Sequence, residues 1–453
     1  MSLDRRGAET YRLLVNDLNV LRVKVRSFPF LFAASLILLS LGPGTTWPLV
    51  AAESVEAQPW TQWRGPSRDG SVEGGNWPDS LDGLDRSWRV ELGEGYPGPI
   101  VFGDKVFVVG TVDDDTEVVL ALERASGREL WRASWPGSGK VPFFAKKNGD
   151  WIRSTPAHDG EALYVGGMEE VLVKLDSETG EQIWKVDFPA RFATKTPAFG
   201  FASSPLIEGD FLYVQAANSL VKLDKASGET IWRALESSGD MMSSGAFSSP
   251  ILATIAGRSQ LVVQTRHTLF GVDAESGHEL WSQDVPNFRG MNILTPVVYG
   301  DSVLTSSYKN RTYLYRVSDG ANGLGSTELW SNKVQSYMST PVVVDGHAYL
   351  HLGNGRLACL DLETGVERWI SKPFGNYWSI VTQGDKLLAL DASGELHLLR
   401  ANPERIEVLG SREIAAQSTW GHLAISGDEI FVRELEAIAA YRWREPRLDG
   451  VSP

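Results

Sequence analysis

The stretch Val171-Leu-Val-Lys-Leu-Asp-Ser-Glu-Thr-Gly-Glu-Gln-Ile-Trp184 alternates apolar and polar side chains up to Asp176, turns at Thr179-Gly180 and runs on to a tryptophan. Alternation with a period of two is the signature of a strand. The carboxylate can accept backbone N–H groups two residues on, and glycine supplies the positive φ of a tight connection, so the segment reads as a hairpin. The same arrangement of acid, two residues, Ser or Thr, Gly, three residues and Trp returns at residues 123–131, 224–232, 273–281 and 361–369. A sixth copy ends at Trp330, with its turn expanded to Ser318-Asp-Gly-Ala-Asn-Gly-Leu-Gly325.

Between these hairpins lies a second marker. Small residues and a proline open a strand at Gly98-Pro99, Ser154-Thr-Pro156, Ser203-Ser-Pro205, Ser248-Ser-Pro250, Leu294-Thr-Pro296 and Ser339-Thr-Pro341, with counterparts at Trp378-Ser-Ile380 and Trp420-Gly-His422. Most openings lead into a Gly-Asp or Asp-Gly turn and a second apolar strand, as in Gly103-Asp-Lys-Val-Phe-Val-Val109. Eight units of four strands, each about 40 to 55 residues long with a recurring aromatic, predict an all-β, eight-bladed β-propeller of antiparallel blades.

The eighth unit has strands at 420–425, 429–432 and 437–443, after which ten residues remain. Its fourth strand is missing. Residues 86–92, Arg-Ser-Trp-Arg-Val-Glu-Leu, form an alternating strand that belongs to no preceding unit. The N-terminal strand is therefore expected to complete the last blade and close the ring, which removes the free sheet edges of an open array.

The chain of 453 residues is 22% charged and 42% hydrophobic, an ordered globular composition. Its net charge of −14 argues against nucleic acid as a partner, because polyphosphate binding depends on Lys and Arg. A single cysteine, Cys359, rules out an intrachain disulfide, a thiolate zinc site and a C-x-x-C-H haem attachment. On its apolar strand Cys359 reads as a small buried hydrophobe.

Lys24 and Arg26 precede an apolar run over residues 28–41, long enough for the core of an export signal and short for a membrane span. Residues 1–52 are expected to be a signal peptide or an uncleaved N-terminal anchor, which would then be the sole membrane contact. With no cysteine after the run, lipoprotein processing is not expected. Residues 53–85 are read as a segment clasping the ring, 86–443 as the propeller and 444–453 as a tail. The body from residue 53 carries 37 basic and 54 acidic side chains, a net of −17.

The acid-x-x-Thr/Ser-Gly-x-x-x-Trp repeat with Ser-Ser-Pro openings resembles the pyrroloquinoline quinone (PQQ) type of eight-bladed propeller, in particular the exported bacterial PQQ-like repeat proteins. The resemblance extends over residues 60–443 and includes Trp60-Thr-Gln-Trp-Arg-Gly-Pro-Ser-Arg-Asp-Gly70. It implies one of two roles. Quinoprotein alcohol dehydrogenases of this type hold PQQ beneath a bonded pair of adjacent cysteines and bind calcium through acidic and Asn residues. This chain lacks the pair and shows no matching calcium motif. Propellers of the BamB type instead act in outer-membrane protein assembly, and Arg289-Gly290 stands where they carry a charged contact loop. Ser336-Tyr337-Met338 replaces the acidic pair that follows in them. The expected function is an exported, non-catalytic binding or scaffolding module of the periplasm or cell envelope, with no cofactor. A PQQ-dependent alcohol or sugar dehydrogenase, holding PQQ with calcium, is the alternative.

Candidate site residues follow from position in the repeat. The tryptophans 88, 131, 184, 232, 281, 330 and 369 read as wedges between blades. Trp60, Trp63 and Arg64 read as part of the clasp. The seven histidines are dispersed, His347 and His351 share one strand face without a third ligand, and Asp113-Asp-Asp115 reads as a solvated turn, so no metal site is expected. Loops opening the inner strands surround the channel of a propeller, where ligands bind. Here they carry Tyr96, Trp151, Arg153, Phe199, Phe201, Phe247, Met291, Asn292, Tyr337, Met338, Tyr377, Trp378 and Trp420. Two of these loops reverse the sign of the chain. Residues 140–153 hold Lys140, Lys146, Lys147 and Arg153 against Asp150, and residues 187–201 hold Arg191 and Lys195 against Asp187. Together with Trp151, Phe199, Phe201, Trp378 and Trp420 they are expected to bind an envelope protein, a peptide or an anionic glycan.

Overall fold

The computed structural model describes residues 58–137, 139, 141–143, 146, 149–239, 244–321 and 323–444. The export or anchor reading of residues 1–52 and the tail at 445–453 lie outside them. Among the described residues, thirty-two strands form eight four-stranded antiparallel sheets. Seven blades are simple meanders. Blade 1 occupies residues 100–136, blade 2 157–187, blade 3 206–234, blade 4 251–284, blade 5 297–332, blade 6 342–373 and blade 7 379–413.

Blade 8 is assembled from both parts of the chain. Ala424–Ser426, Glu429–Glu434 and Ala437–Trp443 are joined on the outside by Leu84–Glu91, in register from Leu84 opposite Trp443 to Glu91 opposite Ala437. The strand lies two residues upstream of the expected start because Leu84, wholly buried, packs into the same core as Trp443.

Each hairpin motif is a three-way joint. Asp176 Oδ1 accepts the backbone N–H of Glu178 and both the N–H and hydroxyl of Thr179, and Asp224, Asp273 and Asp361 bind Ser227, Ser276 and Thr364 likewise. The glycine that follows has φ between +71° and +78° in all five full motifs, which a side chain would oppose. It lies against the tryptophan of the preceding blade: Gly127 on Trp88, Gly180 on Trp131, Gly228 on Trp184, Gly277 on Trp232 and Gly365 on Trp330. The same indoles donate to carbonyls of that turn, as Trp131 Nε1 does to Ser177 at 3.1 Å and Trp330 Nε1 to Leu362 at 2.9 Å. Trp281 is the exception. Its neighbour is the expanded turn of blade 5, and its indole donates instead to Gln260 Oε1 within blade 4.

A β-bulge aims each tryptophan. In blade 2 Lys174 pairs with Trp184 and Leu175 with Gln182, which leaves Ile183 unpaired. The shift recurs at Leu130, Ile231, Leu280, Leu329 and Arg368, at Leu409 before Gly410, and at Ser87 before Trp88. Such a bulge bends and twists the outer strand. Ile183, Ile231 and Leu329 are consequently left exposed by strand geometry.

The openings form a second set of joints around the channel. At four openings the hydroxyl before the proline accepts an N–H from the preceding blade: Thr155 Oγ1 from Gly98, Ser204 Oγ from Thr155, Ser249 Oγ from Ser204 and Thr295 Oγ1 from Ser249. Ser379 Oγ accepts from Leu423 on the return side. Proline can follow because the first residue of an inner strand needs no donor there.

Candidate functional site

Residues 58–83 cross the ring at the far ends of the inner strands. Trp60 exchanges both backbone hydrogen bonds with Val101 of blade 1, Thr61 accepts from His158 of blade 2, and Val72 and Gly70 bridge Thr382 of blade 7. Gln58 accepts from Ser426 of blade 8. Arg64 donates to the Pro341 carbonyl of blade 6, and Arg68 to the Pro205 and Ser204 carbonyls of blade 3. Both guanidiniums are buried away from water, which lowers their pKa to about 10 and about 9. Both lie over the Trp63 ring, at 5.6 and 5.9 Å from its centroid.

Trp63 is thereby fixed as the floor of a cavity of about 290 Å³ whose walls come from all eight opening loops. Its polar inner course is Thr340 with Thr155, Ser204, Ser249, Thr295 and Ser379, the last five being hydroxyls that join the blades. Its upper course is aromatic. Rings follow one another across blades 5 to 8 and on to 1 and 2: Phe288 and Tyr308 at 6.2 Å, Tyr308 and Tyr337 at 4.4 Å, Tyr337 and Tyr377 at 5.8 Å, Tyr377 and Trp420 at 4.6 Å, Trp420 and Tyr96 at 5.1 Å, Tyr96 and Trp151 at 5.4 Å. Phe199 and Phe247 continue the wall at 5.6 Å from each other.

Cations stand at the ends of this arc. Arg153 lies over Tyr96 at 6.0 Å, Arg289 and Lys309 over Phe288 at 5.1 and 4.8 Å, and Arg266 over Phe247 at 4.5 Å. Among the described residues, no carboxylate lines the cavity. Burial lowers the Arg153 pKa, raises that of Tyr96 to about 12 and holds His422, edge-on to Trp63 and near Arg64, at about 3. The mouth therefore presents cationic and aromatic groups on an acidic protein.

Of the residues singled out in the sequence, Arg153, Phe199, Trp378 and Trp420 line this cavity and Trp151 buttresses Tyr96. Phe201 does not belong to the surface. It packs edge-on to Phe188 in the blade 2–3 core, because the loop turns inward after Gly200. Arg191 is also drawn elsewhere, since the short helix Phe188–Phe192 directs it to the Gly228 carbonyl and the Thr230 hydroxyl on the outer edge of blade 3. Lys146 and Lys195 are exposed and do not line the mouth. Lys140 and Lys147 lie outside the described residues. Of the described cations of the two loops only Arg153 lines the mouth, and Arg266, Arg289 and Lys309 stand over rings further along the arc. Position among the opening loops does not point to Arg266 and Lys309, because each sits in an inter-strand turn within its own blade.

Among known families, the model described as outer membrane protein assembly factor BamB matches residues 115–371, more than half of the chain. The chain belongs to this family. The BamB of Shewanella oneidensis is 21% identical over 379 residues, covering 77% of this chain and 86% of the relative. That of Yersinia pestis is 22% identical over 294 residues, covering 60% and 70%. In three dimensions the chain resembles BamB from Moraxella catarrhalis, with a TM-score of 0.59, 15% identity and coverage of 79% and 99%. It resembles the quinohemoprotein alcohol dehydrogenase of Comamonas testosteroni with a TM-score of 0.62, 12% identity and coverage of 87% and 82%. At these identities the structural likeness speaks for the PQQ-like propeller alone. Family membership supports a binding or scaffolding role in the envelope.

Proposed function

We propose that this propeller is an exported, non-catalytic scaffold whose channel mouth captures an extended segment of an envelope protein, one carrying aromatic or apolar side chains beside carboxylates. The observation that carries this reading is the arc of contacting rings ending in Arg153 on one side and Arg289 with Lys309 on the other. Aromatic anchors supply contact area, and cations at the edge select acidic partners and speed their encounter. The BamB relatives, named as outer-membrane protein assembly factors, support an envelope protein as the partner class. The test is capture from envelope extract. Trp420→Ala and Lys309→Glu should each lower recovery of the partner while leaving the melting temperature near that of the wild type, and the Lys309 variant should make residual capture less salt-sensitive. Unchanged recovery with both variants removes the mouth from the account.

The dehydrogenase alternative draws on the cavity's size and on the structural likeness to the quinohemoprotein enzyme. The described residues do not suit PQQ with calcium there: among them the lining offers hydroxyls, rings and Arg153, and no carboxylate to hold a divalent cation. A shifted quinone spectrum and dye reduction with simple alcohols, after incubation with PQQ and calcium, would restore that alternative.

A further inference from the structure

Blade 7 turns from Lys386–Leu390 to Glu395–Arg400 through Asp391-Ala-Ser-Gly394. Two residues apart on one strand, Glu395 and His397 share a face of the sheet, and the turn returns Asp391 beside them. One ligand atom from each of the three lies within 4.8 Å of the other two.

The histidine is the telling member. His397 is 2% exposed and held between aromatic walls, stacked on Trp378 at 5.0 Å and edge-on to Phe374 at 5.6 Å. Its Nδ1 is 2.8 Å from Ser411 Oγ. Its Nε2 is buried without a hydrogen-bond partner and is aimed at Glu395, with Oε2 3.9 Å away, too far for a hydrogen bond. Ser411 Oγ can accept from Nδ1–H or donate to Nδ1; in the first tautomer the Nε2 lone pair faces carboxylate oxygens, the arrangement that a cation between them satisfies. Asp391 is equally fixed. Its Oδ1 accepts from the Ser393 N–H and hydroxyl and from the Glu395 N–H, and its Oδ2 packs so near Gly375 that a Cβ there would lie 1.9 Å away. Only Glu395, with 45% of its side chain exposed, is free to swing.

We propose that Asp391, Glu395 and His397 form a binding site for a divalent transition metal, zinc or manganese by their one nitrogen and two oxygens. Tetrahedral ligands at about 2.1 Å stand roughly 3.4 Å from one another, so a separation of 4.8 Å has to close by about 1.4 Å, to which Glu395 contributes by rotation and the Asp391 turn by a small shift. Water completes the coordination. The site lies behind the channel wall: Trp378 lines the cavity and stacks on His397, and His351 of blade 6 stacks on Trp378 at 5.1 Å. A bound ion would thus tie the wall of the mouth to the blade 6–7 joint.

The experiment is calorimetric titration of the full chain, stripped with chelator, with Zn²⁺ and separately with Mn²⁺. One saturable site per chain is expected, accompanied by a rise in melting temperature that chelator reverses. Glu395→Gln, at a half-exposed position, should fold and bind at least about 100-fold more weakly, and His397→Asn should lose the site altogether. Co²⁺, which accepts the same donors, should give visible absorption in the wild type that both variants lack. Equal binding by wild type and Glu395→Gln, or no saturation below about 100 μM of either metal, overturns the proposal and leaves His397 a stacked core histidine.

Discussion

Gly180 lies beneath the indole of Trp131, one blade back, so closely that an added Cβ would come within 2.5 Å of the ring. With φ at +75° as well, the position rejects any side chain twice over. The Ser/Thr-Gly pair of the motif is therefore explained by the neighbouring blade as much as by its own turn. Gly180→Ala should destabilise by about 3 kcal/mol, read as a lowered midpoint in chemical denaturation. Trp184→Ala, which empties the matching place over Gly228, should cost about as much and leave partner capture unaltered. A Gly180→Ala protein as stable as the wild type would mean that the blades do not meet through this contact.

Closure makes the second expectation. Leu84–Glu91 covers the outer edge of Ala437–Trp443, and Arg89 adds a paired hydrogen bond to Glu434 at 2.9 and 3.0 Å. A chain beginning at residue 95 should expose that edge, lose stability and self-associate on size exclusion. A truncated chain that stays monomeric with unchanged melting would contradict the shared blade.

Buried ionisable groups set the response to pH. His158 and His351 are held neutral by burial, each with a pKa near 4, so their contribution is present above the ordinary value of 6.5 and is lost as pH falls toward 4. Glu170 runs the other way. Burial raises it to about 7, against the Ala217 N–H it accepts, so its contribution is present below the ordinary 4.5 and is lost as pH rises through 7. From pH 7 to pH 5 each histidine should remove about 2 kcal/mol and Glu170 return about 2 kcal/mol. Glu170→Gln should therefore lose stability more steeply over this interval than the wild type, by about 2 kcal/mol, in denaturation curves at the two pH values. Parallel curves would show that Glu170 keeps its charge in the folded chain.

The fold was legible because each blade repeats its local chemistry: Asp176 with Thr179, Gly180 and Trp184 states a hairpin, and Thr155-Pro156 states the start of an inner strand. The vacancy after Trp443 was legible by counting strands. Side-chain direction in the loops was not. Phe199 faces the channel and Phe201 the core, although both stand beside Gly200 in one loop, and nothing local distinguishes them. Arg191 was misplaced for the same reason, since its partners Gly228 and Thr230 belong to another blade. The cluster at Asp391, Glu395 and His397 had a signal, a carboxylate and a histidine two apart on a strand after an Asp turn. It escaped notice because histidines were compared with one another and not with the acids across a turn.

The central claim is that the aromatic mouth, and not the outer edge of the blades, meets the partner. The direct measurement places a photoreactive amino acid at Tyr377, inside the mouth, or at Ile183, the exposed bulge residue on blade 2, and compares adducts formed in envelope preparations. The account predicts a discrete envelope-protein adduct from position 377 that weakens with salt, and none from position 183. Adducts from position 183 with none from 377 would contradict it.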